Sequence, residues 1–394
     1  MASVRDRRNV FVLAICQALG NSGRSLLLAT GHLIGYGLSG DKALATLPSA
    51  LLMAGAALAA YPAAAFMQRV GRRAGFSIGA AIGMAGALLL LHSLVLGDFA
   101  WFNAGMLLFG TFGGFTQQYR LAAADVAPDD FKSKAISQVM AGGVMAAFIG
   151  PELAKAGRTL LGETEFLGSY AVLLGVTFLG GVLVLFVDIP KLDKAQSRAG
   201  ARPLGVIMRQ PAFITAVLAS TIGFVVMVLL MSSVILVMKI GNGFSFDDTA
   251  FVVEWHFFAM FAPGFVTGHL INRFGILRII ITGNLLLIAS VGVALSGHDM
   301  IQLWLSMVIV GVGWNLAFTG GSALLTQIHS PAERGKTQGF NEALVATSAT
   351  LSVFSSGALY HFVGWQWLNL AALPLIAMSL FATLWLASKE PRPA

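Results

Sequence analysis

Met227 and Met231 stand four residues apart in one long apolar run, and His256 and Met260 stand four apart in the run that follows. In a helix that spacing brings each pair onto one face. If the two runs fold as an antiparallel hairpin their register is mirrored, with Met231 level with His256 and Met227 level with Met260. Three thioethers and an imidazole at adjacent depths form a soft, uncharged donor set. Such a set selects Cu(I) over the hard cations, which prefer carboxylate or carbonyl oxygen. Copper is then expected as cargo and not as a resident cofactor, because neutral donors hold the ion weakly enough to release it.

Other residues stand where chemistry could use them. Glu254 lies two positions before His256 and is a candidate to orient the imidazole or exchange a proton with it. Cys16, the only cysteine, is a soft group near the inner end of the first apolar run and a candidate for metal exit; a lone cysteine also excludes an intrachain disulfide. Arg24 sits inside the same run, where a guanidinium is expensive and generally faces a cavity or a partner. It suits an anionic or carbonyl-rich solute better than a metal cation. Trp314 and Asn315, with Trp255, are candidates to line a pocket for a planar ring, and Glu152 and Glu342 are candidate proton carriers.

The elements that must carry these residues are membrane spans. Hydrophobic residues make up 57% of the 394 positions and charged residues 11%, against about 25% charged in a globular chain. Twelve apolar runs are expected near 10–31, 43–67, 76–96, 101–123, 134–156, 167–187, 211–238, 249–271, 276–296, 301–327, 337–359 and 365–387. Each approaches or exceeds the roughly 20 residues a helix needs to cross a bilayer. The net charge of +7 is distributed by topology: 20 of the 25 Lys and Arg fall on one side of these runs, which places both termini and the central loop in the cytoplasm. That basicity calls for no nucleic-acid partner. The first run follows a basic segment without a small-residue cleavage site and reads as a retained span. There is no Gly-x4-Gly-Lys-Ser/Thr loop, nucleophile constellation or paired-carboxylate site, so the chain is expected to be neither a nucleotide hydrolase nor another enzyme.

An internal repeat organises the spans. Gln68-Arg69-Val70-Gly71-Arg72-Arg73 is matched 204 residues later by Asn272-Arg273-Phe274-Gly275, with Arg278 beyond, and Ala127-Pro128 is matched 203 residues later by Ser330-Pro331. Two signals at nearly one offset indicate a duplicated unit. The expected division is an N-terminal bundle at 1–187, a polar connector at 188–210 with Pro190, Pro203 and five basic residues, and a C-terminal bundle at 211–394.

The Gly-Arg turn resembles the loop signature of the major facilitator superfamily, with Gln68 and Asn272 standing where its usual form carries Asp. That resemblance implies an all-α membrane protein of twelve transmembrane helices in two six-helix bundles, working by alternating access. The run Glu254-Trp255-His256-Phe257-Phe258-Ala259-Met260-Phe261-Ala262-Pro263, with Met227 and Met231 upstream, resembles the CcoA-type copper importers of that superfamily. This second resemblance implies Met227, Met231, His256 and Met260 as copper ligands. It also implies a cytoplasmic copper acceptor, supply to cytochrome oxidase assembly and a place in the bacterial inner membrane. Relatives in the same branch move riboflavin. Two expectations therefore stand: Cu(I) import through the four soft donors, or import of riboflavin or a similar planar metabolite with Arg24 and the tryptophans as contacts.

Overall fold

A span stays in a bilayer only if its backbone polar groups pair internally, and a single segment achieves that as a helix. The computed structural model describes residues 3–128, 131–162, 164–189, 202–330 and 333–389, and among these every regular element is helical. In chain order they are α1 (Val4–Leu38), α2 (Leu47–Val70), α3 (Arg72–Leu96), α4 (Phe99–Thr116), α5 (Tyr119–Val126), α6 (Lys132–Gly157), α7 (Leu167–Val184) and α8 (Leu204–Met208). There follow α9 (Pro211–Leu236), which runs into a π-helical turn, then α10 (Phe246–Phe261), α11 (Gly264–Phe274), α12 (Ile276–Leu295), α13 (Met300–Gln327) and α14 (Arg334–Lys389). Among the described residues nine helices are long and apolar enough to cross a membrane, or ten if the bent pair α10 and α11 makes one span. The chain is an all-α, multi-pass membrane protein.

Helix ends follow local chemistry. Ser3 and Asp6 form a reciprocal capping box at the start of α1. Asp98 caps α4 by accepting the Trp101 N–H at 2.9 Å. The repeated Gly-Arg turn has one geometry in both copies: Gly71 at φ 93°, ψ 154° ends α2, and Gly275 at φ 88°, ψ 152° ends α11. Only a residue without Cβ occupies that region at little cost, which explains the glycine at both places. Within α14, Gly364 at φ 75° breaks the helical path.

The chain divides into two compact units, one comprising Met1–Lys194 with Ser245–Glu254, the other Ala195–Phe244 with Trp255–Ala394. Their internal packing repeats. In the first, α1 lies on α6, α3 on α4, and α2 on α4; in the second, α9 lies on α14, α12 on α13, and α11 on α13. Without Asp at position 68, Arg72 finds its carboxylate on α5, where Asp125 accepts its Nε–H at 2.6 Å. Of the connector, residues 190–201 lie outside the described residues, as does Pro331 of the second sequence repeat. Its C-terminal end is fastened within the second unit. The Arg202 guanidinium donates to both Glu333 carboxylate oxygens at 2.7 and 2.8 Å, and its Nη2 reaches the Ile328 carbonyl at 3.0 Å.

Candidate functional site

In the second unit α9 is apolar on every side and is buried accordingly. Met227 and Met231 are 1% and 4% exposed. His256 is fully buried on α10, and its Nδ1 lies 2.8 Å from the Met307 carbonyl of α13. A carbonyl only accepts, so this nitrogen carries the ring proton. The imidazole is thus oriented by a backbone group. Glu254, the expected partner of His256, is instead engaged in the first unit, where Lys155 Nζ sits 2.9 Å from its carboxylate and 2.7 Å from that of Glu152.

Asn315 also has a structural employment. Its Nδ2 donates to the Met260 carbonyl at 2.7 Å, and its Oδ1 accepts from Thr267 Oγ1 at 2.7 Å. These bonds clasp the 40° bend between α10 and α11, where Pro263 cannot continue the hydrogen-bond ladder. Trp314, one residue earlier, stacks on Phe318 with ring centroids 5.3 Å apart and planes 18° apart. Phe224 and Phe261 meet the same indole edge-on at 5.6 and 6.3 Å. The indole Nε1–H is buried and has no acceptor among the described residues.

In the first unit α1, α2 and α4 leave a recess lined by Gly20, Arg24, Leu52, Phe109, Phe112 and Gly113 among others, with space for about one water-sized sphere. Among the described residues Arg24 makes neither an ion pair nor a hydrogen bond. The expectation of a cavity or a partner resolves in favour of the cavity. Sequence reasoning passed over His32, fully buried on α1 with Nδ1 3.0 Å from the Leu28 carbonyl and Nε2 unpartnered. A lone histidine within an apolar run was the available signal.

The duplicated helix crossings relate these two places. A Cβ on Gly110 of α4 would meet the Leu52 carbonyl of α2 at 2.2 Å, as one on Gly311 of α13 would meet the His256 carbonyl of α10 at 2.9 Å. Gly20 likewise abuts Thr116 as Gly223 abuts Ala317. Carried along each helix, these equivalences set Arg24 against Met227, Leu52 against His256, Ala56 against Met260 and Gly113 against Trp314. At these positions the first unit carries Arg24, Leu52, Ala56 and Gly113, and the second Met227, His256, Met260 and Trp314.

Apolar spanning helices, an internal duplication and buried polar groups within the spans define a polytopic membrane protein. The profile of the Major Facilitator Superfamily matches residues 10–262 and 230–394, and the chain belongs to that family. It is a transporter and not an enzyme. RfnT, the riboflavin transporter of Brucella anthropi, is 38% identical over 376 residues, covering 95% of this chain and 94% of that protein. YdeG, an uncharacterized MFS-type transporter of Bacillus subtilis, is 28% identical over 379 residues, covering 90% and 86%. Among solved structures, a bacterial homolog of the human lysosomal transporter Spinster, in an inward-facing and occupied conformation, superposes with a TM-score of 0.75 at 15% identity over the whole of both chains. The human organic anion transporter MFSD10 gives 0.68 at 14% identity, covering 97% of this chain and all of that one. These two likenesses speak for the fold alone.

The copper expectation is overturned. Among the described residues no group of three or more His, Cys, Asp and Glu gathers as a metal site. The likeness along nearly the whole chain is to a protein named for riboflavin transport and not to a copper importer. Met227, Met231 and Met260 are buried, and His256 is a buried ring whose Nδ1 meets a backbone carbonyl. The exit role expected of Cys16 lapses with copper; the residue lies in an apolar cluster with Val10, Leu13 and Phe115, its thiol directed at the Gly180 carbonyl 3.8 Å away. With copper go the cytoplasmic copper acceptor and the supply of copper to oxidase assembly.

Proposed function

We propose that this chain carries riboflavin, or a closely similar planar and carbonyl-rich metabolite, inward across the bacterial inner membrane by alternating access. The observation that carries the reading is the 38% identity to a riboflavin transporter along 95% of the chain. The stack of Trp314 on Phe318 supports it on chemical grounds, because a flat heteroaromatic ring binds well against aromatic faces. The unpartnered indole N–H beside that stack gives a carbonyl acceptor something to meet. We also propose the full complement of twelve crossings. Phe99–Thr116 and the two stretches of α14 on either side of Gly364 complete the set begun by the nine apolar helices and the bent pair. They form six-helix bundles at 1–187 and 211–394, joined by 188–210, with both termini cytoplasmic as the Lys and Arg distribution supports.

The test is uptake of radiolabelled riboflavin by a riboflavin-auxotrophic bacterium carrying this chain, followed by flux into proteoliposomes containing it alone. Growth rescue together with saturable flux is expected. Vesicles that take up no more label than empty ones defeat the proposal.

A further inference from the structure

Arg24 is a charged group without a charged partner in a place where charge is costly, and it borders a recess in the first unit. The equivalent positions of the second unit carry Met227, His256, Met260 and Trp314, so the guanidinium is peculiar to the first unit's copy of the helix crossing that both units share. The walls of the recess include two phenylalanines, Phe109 and Phe112, with Gly20 and Gly113, apolar surroundings against which a flat ring can lie when alternating access widens the recess beyond the single water-sized sphere it holds here. A guanidinium presents parallel N–H groups in a planar fork, which pairs best with two acceptors lying side by side in one plane. The isoalloxazine ring of riboflavin carries such pairs: each carbonyl oxygen lies next to an unprotonated ring nitrogen with its lone pair in the ring plane.

We propose that Arg24 is the specificity-determining residue for the flavin ring and grips one of these nitrogen–carbonyl acceptor pairs with two N–H donors. The proposal rests on the riboflavin reading and adds to it the atom pair that is recognised. Lysine at this position keeps the charge but loses the fork, and methionine keeps only the approximate length.

The experiment measures KM and maximal flux for riboflavin in proteoliposomes containing wild type, Arg24→Lys or Arg24→Met, with melting of each purified protein as a folding control. It also uses two riboflavin analogues, each with one of the two carbonyl-flanking ring nitrogens replaced by C–H. Both variants are expected to raise KM at least about tenfold, the loss anticipated for a charge-assisted bond. One analogue is expected to bind wild type about tenfold more weakly than riboflavin does, and to bind Arg24→Lys no worse than riboflavin does. Folded Arg24→Met with wild-type KM overturns the proposal, and so does wild type that accepts both analogues as well as riboflavin. The analogue arm needs no variant to fold. Wild type that moves no riboflavin defeats the transport reading and this inference together, whereas riboflavin flux indifferent to Arg24 defeats the inference alone.

Discussion

Asn315→Leu tests whether the bend between α10 and α11 is held by side chains. The substitution nearly conserves volume, so cavity formation contributes little, and its effect comes from two hydrogen bonds of 2.7 Å each. They are not equivalent. Thr267 Oγ1 also lies 2.8 Å from the Pro263 carbonyl, so its hydroxyl retains an acceptor when Asn315 is lost. The Met260 carbonyl loses its side-chain donor at a break in the helix, in a medium where no water replaces it. Hydrogen bonds between membrane helices average about 0.6 kcal/mol and reach about 1.7, and an orphaned buried group costs about 1–3. The upper part of the first range applies, and we expect Asn315→Leu to destabilise by about 1.5 kcal/mol. Thr267→Val removes the weaker arm and should cost about 0.6 kcal/mol. Because the second bond cannot exist without the first residue, the double variant should fall close to Asn315→Leu alone. Reversible unfolding of the purified protein in mixed micelles, followed by circular dichroism, measures all three. An Asn315→Leu protein within about 0.3 kcal/mol of wild type, or two single effects that simply add, refutes the clasp.

Gly110→Ala sets a Cβ 2.2 Å from the Leu52 backbone oxygen, a clash that no rotamer change relieves, and should cost at least about 3 kcal/mol or abolish folded protein in a melting assay. Met227→Leu should cost less than about 1.5 kcal/mol and leave riboflavin flux intact, and copper uptake by cells carrying the wild type should stay at the vector background. Glu333 is held well below the usual carboxylate range by the Arg202 guanidinium and the Ser330 N–H. Its stabilising contribution is therefore complete above about pH 4.3, the ordinary value in an unfolded chain, and is lost only as pH falls through the lower folded value. Glu333→Gln should destabilise the protein at neutral pH, with the difference from wild type narrowing under strong acid in a pH series of melting curves.

Much of the fold was legible because membrane insertion writes itself locally. Length of apolar run and the Gly-Arg turn are each properties of a short stretch, and the shared backbone geometry of Gly71 and Gly275 follows from the repeat that announced it. Arg24 was equally legible, since a guanidinium in an apolar run stands out without any knowledge of its neighbours. What the sequence concealed depends on residues far apart along the chain. Asn315 reads as a polar contact for a solute until Met260 and Thr267 are seen to occupy both ends of its amide. Glu254 reads as the partner of His256 until Lys155 is found beside it, and Asp125 is not an evident partner for Arg72 until α5 packs near the start of α3.

The soft-donor pattern misled for a physical reason. A four-residue spacing marks one helical face, but α9 is buried on nearly every face: 83% of its most apolar stretch lies inside the protein. For such a helix any two residues four apart are buried together, and the spacing distinguishes a ligand pair from packing no better than chance does. Position nevertheless carried information, because Met227, His256 and Met260 stand where the duplicated framework of the first unit sets Arg24, Leu52 and Ala56. Thioethers are pliable and fill irregular space without polar demands, which suits them to the interior of a helix buried on nearly every face. The motif thus marked a repeated place in the architecture, and the charge at that place stands in the opposite copy, at Arg24.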